Sequence, residues 1–132
     1  MPVIYKKQPK RSLKDKSVRY FPTVKSVKLI REREVAKLLA DETTLNAKEA
    51  EFALVQLQKI LLRELQQGNT VQLGDWASFF LTVASDGTEK KEDCTASLIK
   101  TVRCHCRFTP SFRETLQKSE FVPLEDFERI KA

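Results

Sequence analysis

The chain has 132 residues and a mass of 15.2 kDa, enough for one domain with room for an appendage. Its 24 Lys and Arg against 18 Asp and Glu give a net charge of +6 and a sequence pI of about 9.3, the electrostatic footprint of a polyanion binder. Three cysteines cannot all pair within one chain, the opening Pro2-Val3-Ile4-Tyr5-Lys6-Lys7 turns charged before any apolar core forms, and no apolar run approaches the roughly 18 residues of a membrane helix, so a secreted disulfide framework and a membrane span are excluded and a reducing, cytoplasmic setting is expected.

The charge is uneven. Residues 1–31 hold ten bases (Lys6, Lys7, Lys10, Arg11, Lys14, Lys16, Arg19, Lys25, Lys28, Arg31) against Asp15 alone, and the remainder is slightly acidic. A basic N-terminal arm of this kind commonly meets nucleic acid; the alternative is a solubilising tail. Residues 1–28 read as an extension, partly extended and partly loop. Val3-Ile4-Tyr5 and Tyr20-Phe21 are β-prone, and Pro2, Pro9 and Pro22 exclude a continuous helix. Tyr5, Tyr20 and Phe21 read as residues that pack the arm, with base stacking as the alternative.

From about Ile30 the period becomes helical, with Val35, Leu38 and Leu39 on one face. A first helix is expected to about Thr43. Asn46-Ala47-Lys48-Glu49 has the pattern of a capping box. A long second helix follows, striped by Ala50, Ala53, Leu54, Leu57, Ile60, Leu61 and Leu65, and Gly68 is placed to end it. That stripe is broader than one short helix can cover, which calls for a helical partner such as a second copy.

After Gly68-Asn69 the period is two. Thr70–Leu73 reads as a short strand, Gly74-Asp75 as a turn, and Trp76–Val83 as a second strand, with Trp76 and Phe79 in the core and Phe80 on the other face. Ser85–Asp93 reads as a loop or exposed arm tip. Leu98–Phe108 is a third strand whose Val102, Cys104, Cys106 and Phe108 face one way and Thr101, Arg103, His105 and Arg107 the other. Ser111-Phe112-Arg113-Glu114 resembles a second capping box, opening a short final helix. Residues 120–132 form an acidic tail with apolar points.

Taken together, Gly68-Asn69-Thr70-Val71-Gln72-Leu73-Gly74-Asp75-Trp76-Ala77-Ser78-Phe79 and Arg107-Phe108-Thr109-Pro110-Ser111 resemble the bacterial histone-like HU/IHF family over residues 29–119, in a variant with a basic N-terminal extension. The first motif is similar to that family's turn, Val-x-Leu strand and Gly-Phe-Gly-x-Phe; the second, to its Phe-x-Pro-Gly step into the last helix. The resemblance implies an α+β, IHF-like DNA-binding fold: two N-terminal helices, a three-stranded antiparallel sheet with an extended β-arm, and a short C-terminal helix, built as an intertwined dimer. It further implies architectural, largely sequence-nonspecific binding of double-stranded DNA in the nucleoid through phosphate and minor-groove contacts. The sequence departs from the family pattern within the arm. Ala84–Arg103 balances Lys90, Lys91, Lys100 and Arg103 against Asp86, Glu89, Glu92 and Asp93, and it lacks the proline that such arms insert. Ser111-Phe112 also replaces a Gly-Lys.

The candidate DNA-binding residues are therefore Arg103, His105 and Arg107 on the third strand, Lys90, Lys91 and Lys100 on the arm, and Lys6, Lys7, Lys10 and Arg11 in the extension. Each competes with an ordinary solvated role. Cys104-His105-Cys106 does not read as a metal site, because neighbours on a strand point to opposite faces; buried apolar cysteines are expected instead. One His, no phosphate loop and no nucleophile motif leave no enzyme, cofactor or small-molecule substrate to expect. The rival function is a protein-interaction or structural module of the same fold with weak or no DNA binding. A sequence-specific regulator has no helix with the exposed Arg/Asn/Gln cluster that major-groove reading needs.

Overall fold

In the computed structural model, which describes residues 2–131, the chain forms two compact units: Met1–Arg31 with Thr115–Ala132, and Glu32–Glu114. The fold is mixed α+β, with two three-stranded sheets among the described residues rather than the single sheet expected from sequence.

The first unit is built on a hairpin. Strands β1 (Val3–Arg11) and β2 (Val18–Val24) are rich in β-branched and aromatic residues and pair antiparallel in unbroken register, Tyr5 with Val24 through Arg11 with Val18. Both prolines within the strands are tolerated for a geometric reason. Lys25 donates to the Ile4 carbonyl (2.7 Å) and Ser12 to that of Ser17 (2.9 Å), which marks the even positions of β1 as the hydrogen-bonded pairs. Pro9 and Pro22 fall in the alternate pairs, Pro9–Tyr20 and Lys7–Pro22, where no N–H is required by the partner strand. At the tip, the Asp15 carboxylate accepts from the Ser17 amide (3.1 Å) and hydroxyl (2.8 Å), and these bonds hold its pKa below the ordinary value. The extension is thus an ordered hairpin where sequence suggested a looser arm.

Part of the tail pairs with the hairpin. Strand β6 (Phe121–Pro123) pairs parallel with the start of β1, Val3 beside Phe121 and Tyr5 beside Pro123, and leads into helix α4 (Leu124–Lys131). Ile4 is the buried residue of this unit.

In the second unit, α1 (Glu32–Glu42) packs on α2 (Ala47–Gln66). Ala36 and Ala50 are fully buried there, small side chains that let two helices approach closely, and Arg33 reaches Glu51 (3.7 Å). Asn46 caps α2 as expected: its Oδ1 accepts from the Glu49 amide (2.8 Å), and its side-chain amide donates to the Glu49 carboxylate. At the other end Gly68 (φ +82°) donates to Leu65 (2.9 Å) and Asn69 to Glu64 (3.1 Å), a Schellman closure.

Strands β3 (Val71–Leu73), β4 (Ala77–Ser85) and β5 (Ile99–Phe108) form an antiparallel sheet in that order. The arm between β4 and β5 carries two short helical turns, Lys91–Asp93 and Ala96–Leu98, and a register irregularity at Ala84/Ser85. Helix α3 (Pro110–Gln117) starts two residues earlier than the capping box implied. Thr109 is the cap: its hydroxyl accepts from the Phe112 amide (3.4 Å) and donates to the Asp75 carbonyl (2.6 Å), and Pro110 takes the first helical position, where a missing N–H costs nothing.

Three burial expectations are corrected. Trp76, expected in the core, is 42% exposed; Phe108 stacks near it (6.5 Å) and Phe112 lies tilted to it (6.2 Å). Cys104 and Cys106, expected buried, are free and exposed, as is Cys94. Cys104 and Cys106 share a face with Leu81, Val83 and Val102, all of them open to solvent. Tyr20, expected to pack, is 69% exposed.

Candidate nucleic-acid interface

Strand alternation sorts the β4–β5 ladder into two faces. Ala77, Phe79, Leu81 and Val83 share the apolar face with Phe108, Cys106, Cys104 and Val102. Ser78, Phe80 and Thr82 share the polar face with Arg107, His105 and Arg103, each directly opposite in that order. The three third-strand candidates are therefore brought together as a row of two guanidinium groups flanking an imidazole, on an exposed surface.

Two of them are held in place. The His105 ring stacks on Phe80 (5.3 Å, 19° between planes), and its Nε2 shares a 2.7 Å hydrogen bond with Thr82 Oγ1. The Arg107 guanidinium lies over the same Phe80 ring, 5.2 Å from its centroid. Phe80 is the platform for this cluster. Among the described residues neither arginine has a carboxylate partner, so both cations remain available to a polyanion. Sequence alternation found the cations. It missed Phe80 and Thr82, whose roles depend on which residues of β4 stand opposite β5.

The arm lysines are placed differently. Lys100 is paired with Asp86 at 3.0 Å, both side chains exposed. Lys90 and Lys91 lie at the first helical turn of the arm, exposed, beside Glu92 and Asp93. The hairpin bases are divided between its two faces. Lys6 and Lys10 lie on one, Lys10 over the Phe21 ring at 5.5 Å; Lys7 and Arg11 lie on the other, Lys7 3.9 Å from Glu125. All of these are exposed, where a single ion pair is worth little.

Among the described residues no group of three or more His, Cys, Asp or Glu side chains could hold a metal ion, and no helix is long and apolar enough to cross a membrane.

A helix pair followed by a three-stranded sheet with a projecting arm and a closing helix defines a mixed α+β class of module, with cations aligned on one sheet face. The family model for an HU domain fused to a wHTH, Ig or glycine-rich motif matches residues 1–123, and the chain belongs to that family. The match includes the basic hairpin as well as the helices and sheet. In fold the chain is similar to a crystal structure from Bacteroides vulgatus ATCC 8482, provisionally described as a bacterial DNA-binding protein, with a TM-score of 0.60 and 10% identity. The likeness covers 92% of this chain but 48% of that one, so the present chain spans about half of the solved protein. No curated protein matches the sequence.

Proposed function

We propose that the chain is an architectural DNA-binding protein, largely indifferent to sequence, that acts as a homodimer in the nucleoid and has no catalytic role. The observation that carries this reading is the row Arg103, His105 and Arg107 along one face of the sheet, with Arg107 and His105 braced on Phe80. Cations two residues apart on a strand stand about 7 Å from one another, a spacing at which they can meet successive phosphates of a backbone. Neutralising phosphates releases counterions, and that release supplies affinity without reading bases. The HU family membership favours DNA as the polyanion.

The dimer belongs to this reading for a physical reason. In the second unit Phe52 and Leu62 on α2, and Val83 and Val102 on the sheet, are more than half exposed. So much open apolar surface on helix and sheet together calls for a partner, and a second copy in the IHF-like intertwined arrangement would supply it. In this arrangement residues 29–119 are the DNA-binding domain, 1–28 a basic extension adding Lys6, Lys7, Lys10 and Arg11, and 120–132 an acidic tail.

The arm favours a second reading, a module of the same fold that binds proteins. Lys100 is tied to Asp86, the arm's charges balance, and no proline is available as a wedge between base steps. A titration against a labelled duplex of about 30 base pairs separates the two. At low salt the full chain should bind, and Arg103→Ala/Arg107→Ala should bind at least about tenfold more weakly. Failure of the full chain to bind would leave the protein-binding reading.

A further inference from the structure

The sheet of the first unit has a face whose rings the duplex-binding reading leaves unused. On β1, Tyr5, Lys7, Pro9 and Arg11 point to one side, and their partners Val24, Pro22, Tyr20 and Val18 share it. Phe121 and Pro123 of β6 extend it beside Val3 and Tyr5. Successive rows along the sheet thus present Phe121, then Tyr5, then Pro22, then Tyr20, each a ring. Tyr20 is 69% and Phe121 56% exposed, and these side chains with Lys7 and Val24 line an open cleft of about 620 Å³.

An apolar face of this kind needs an occupant, and the charge around it identifies the chemistry. Lys7 and Arg11 stand on this face and Lys14 and Lys16 in the hairpin turn, while Lys6, Lys10 and Arg19 lie on the opposite face of the same two strands; Asp15 is the hairpin's one acid, and Glu125 lies 3.9 Å from Lys7. A ligand for it must bring flat apolar surfaces and dense negative charge together. Nucleic acid does so only where its bases are unstacked. The rows lie roughly 7 Å apart, twice the 3.4 Å rise of a stacked duplex strand, so paired bases cannot match them and splayed ones can. We propose that this face is a stacking platform for single-stranded nucleic acid, with Tyr20, Tyr5 and Phe121 receiving bases and Lys7 and Arg11 the backbone. The Lys7–Glu125 pair, 3.9 Å and exposed at both ends, is weak enough for a phosphate to displace.

The platform is independent of the Arg103–Arg107 row, so the two sites fail separately. The test is fluorescence anisotropy on the full chain with a labelled oligothymidine of about twelve nucleotides, and with an abasic strand of the same length and charge. Oligothymidine should bind at least about tenfold more tightly than the abasic strand, and Tyr20→Ala and Phe121→Ala should each weaken it by about fivefold or more. Tyr20→Phe, which keeps the ring, should stay within about twofold. Circular dichroism and unchanged duplex affinity would show the variants folded. Equal affinity for the abasic strand means that charge alone binds and overturns the proposal. So does full retention of oligothymidine binding by Tyr20→Ala/Phe121→Ala, which would leave the face to an apolar protein surface.

Discussion

Arg107 shows how one residue's value depends on its setting. On an open strand a guanidinium is mobile, and binding a phosphate must first order it. Here the Phe80 ring beneath it removes much of that cost in advance, and the same ring positions His105. Replacing Phe80 by Leu keeps the bulk and loses the π-face, so duplex affinity should fall about threefold while thermal stability changes little, as anisotropy and melting curves would show. Gly68 is a different case. At φ +82° it occupies the left-handed region with nothing within 4 Å of a would-be Cβ, so Gly68→Ala meets no clash and suffers only backbone strain. The expected loss is about 1 kcal/mol, read as a drop of a few degrees in melting temperature. On Lys100 the structure adds what composition could only suggest. Its 3.0 Å contact with Asp86 is exposed at both ends and offsets its charge only weakly, so Asp86→Asn should strengthen duplex binding by no more than about threefold, mainly by removing a repelling carboxylate.

At the scale of elements, the sequence was legible wherever the determinants are local. The start of α2 follows from Asn46 and Glu49, its end from Gly68, and the two faces of β5 from strict alternation between Thr101 and Phe108. The first unit was not legible in the same way. Its third strand, Phe121–Pro123, pairs parallel with Val3–Tyr5 from the far end of the chain, and a parallel pairing at such separation leaves no periodic signature in either segment. Pro9 and Pro22 excluded a continuous helix without deciding between strand and loop, and only the register shows them on the non-hydrogen-bonded pairs of a strand. The final helix illustrates a near miss of local reasoning: Ser111 has cap chemistry, but Thr109 stands ahead of Pro110 and anchors to Asp75, so the helix begins earlier. For the site, the cations could be named from sequence, whereas Phe80, Thr82 and Asp86 act through partners that only the fold supplies.

At the scale of the whole molecule, the open question is what covers the apolar surface. Trp76, Cys104 and Cys106 were expected in a core and are exposed in the single chain, together with Leu81, Val83 and Val102 on the sheet. The proposed homodimer would account for all of them at once. Sedimentation at micromolar concentration should return twice the 15.2 kDa of the chain, and a value of 15.2 kDa would remove the dimer from the account. The three thiols should then divide, those on the apolar face protected from alkylation and Cys94 on the arm reactive.

The account's central claim is that phosphate neutralisation by the Arg103–Arg107 row supplies the affinity for DNA. It is tested most directly by the slope of log K against log salt for a short duplex, measured on the full chain and on Arg103→Ala/Arg107→Ala. The account predicts a steep negative slope for the full chain and one shallower by about 1.8 for the variant, two phosphate contacts having been lost. Binding that ignores salt, or a slope that the two substitutions leave unchanged, would contradict it.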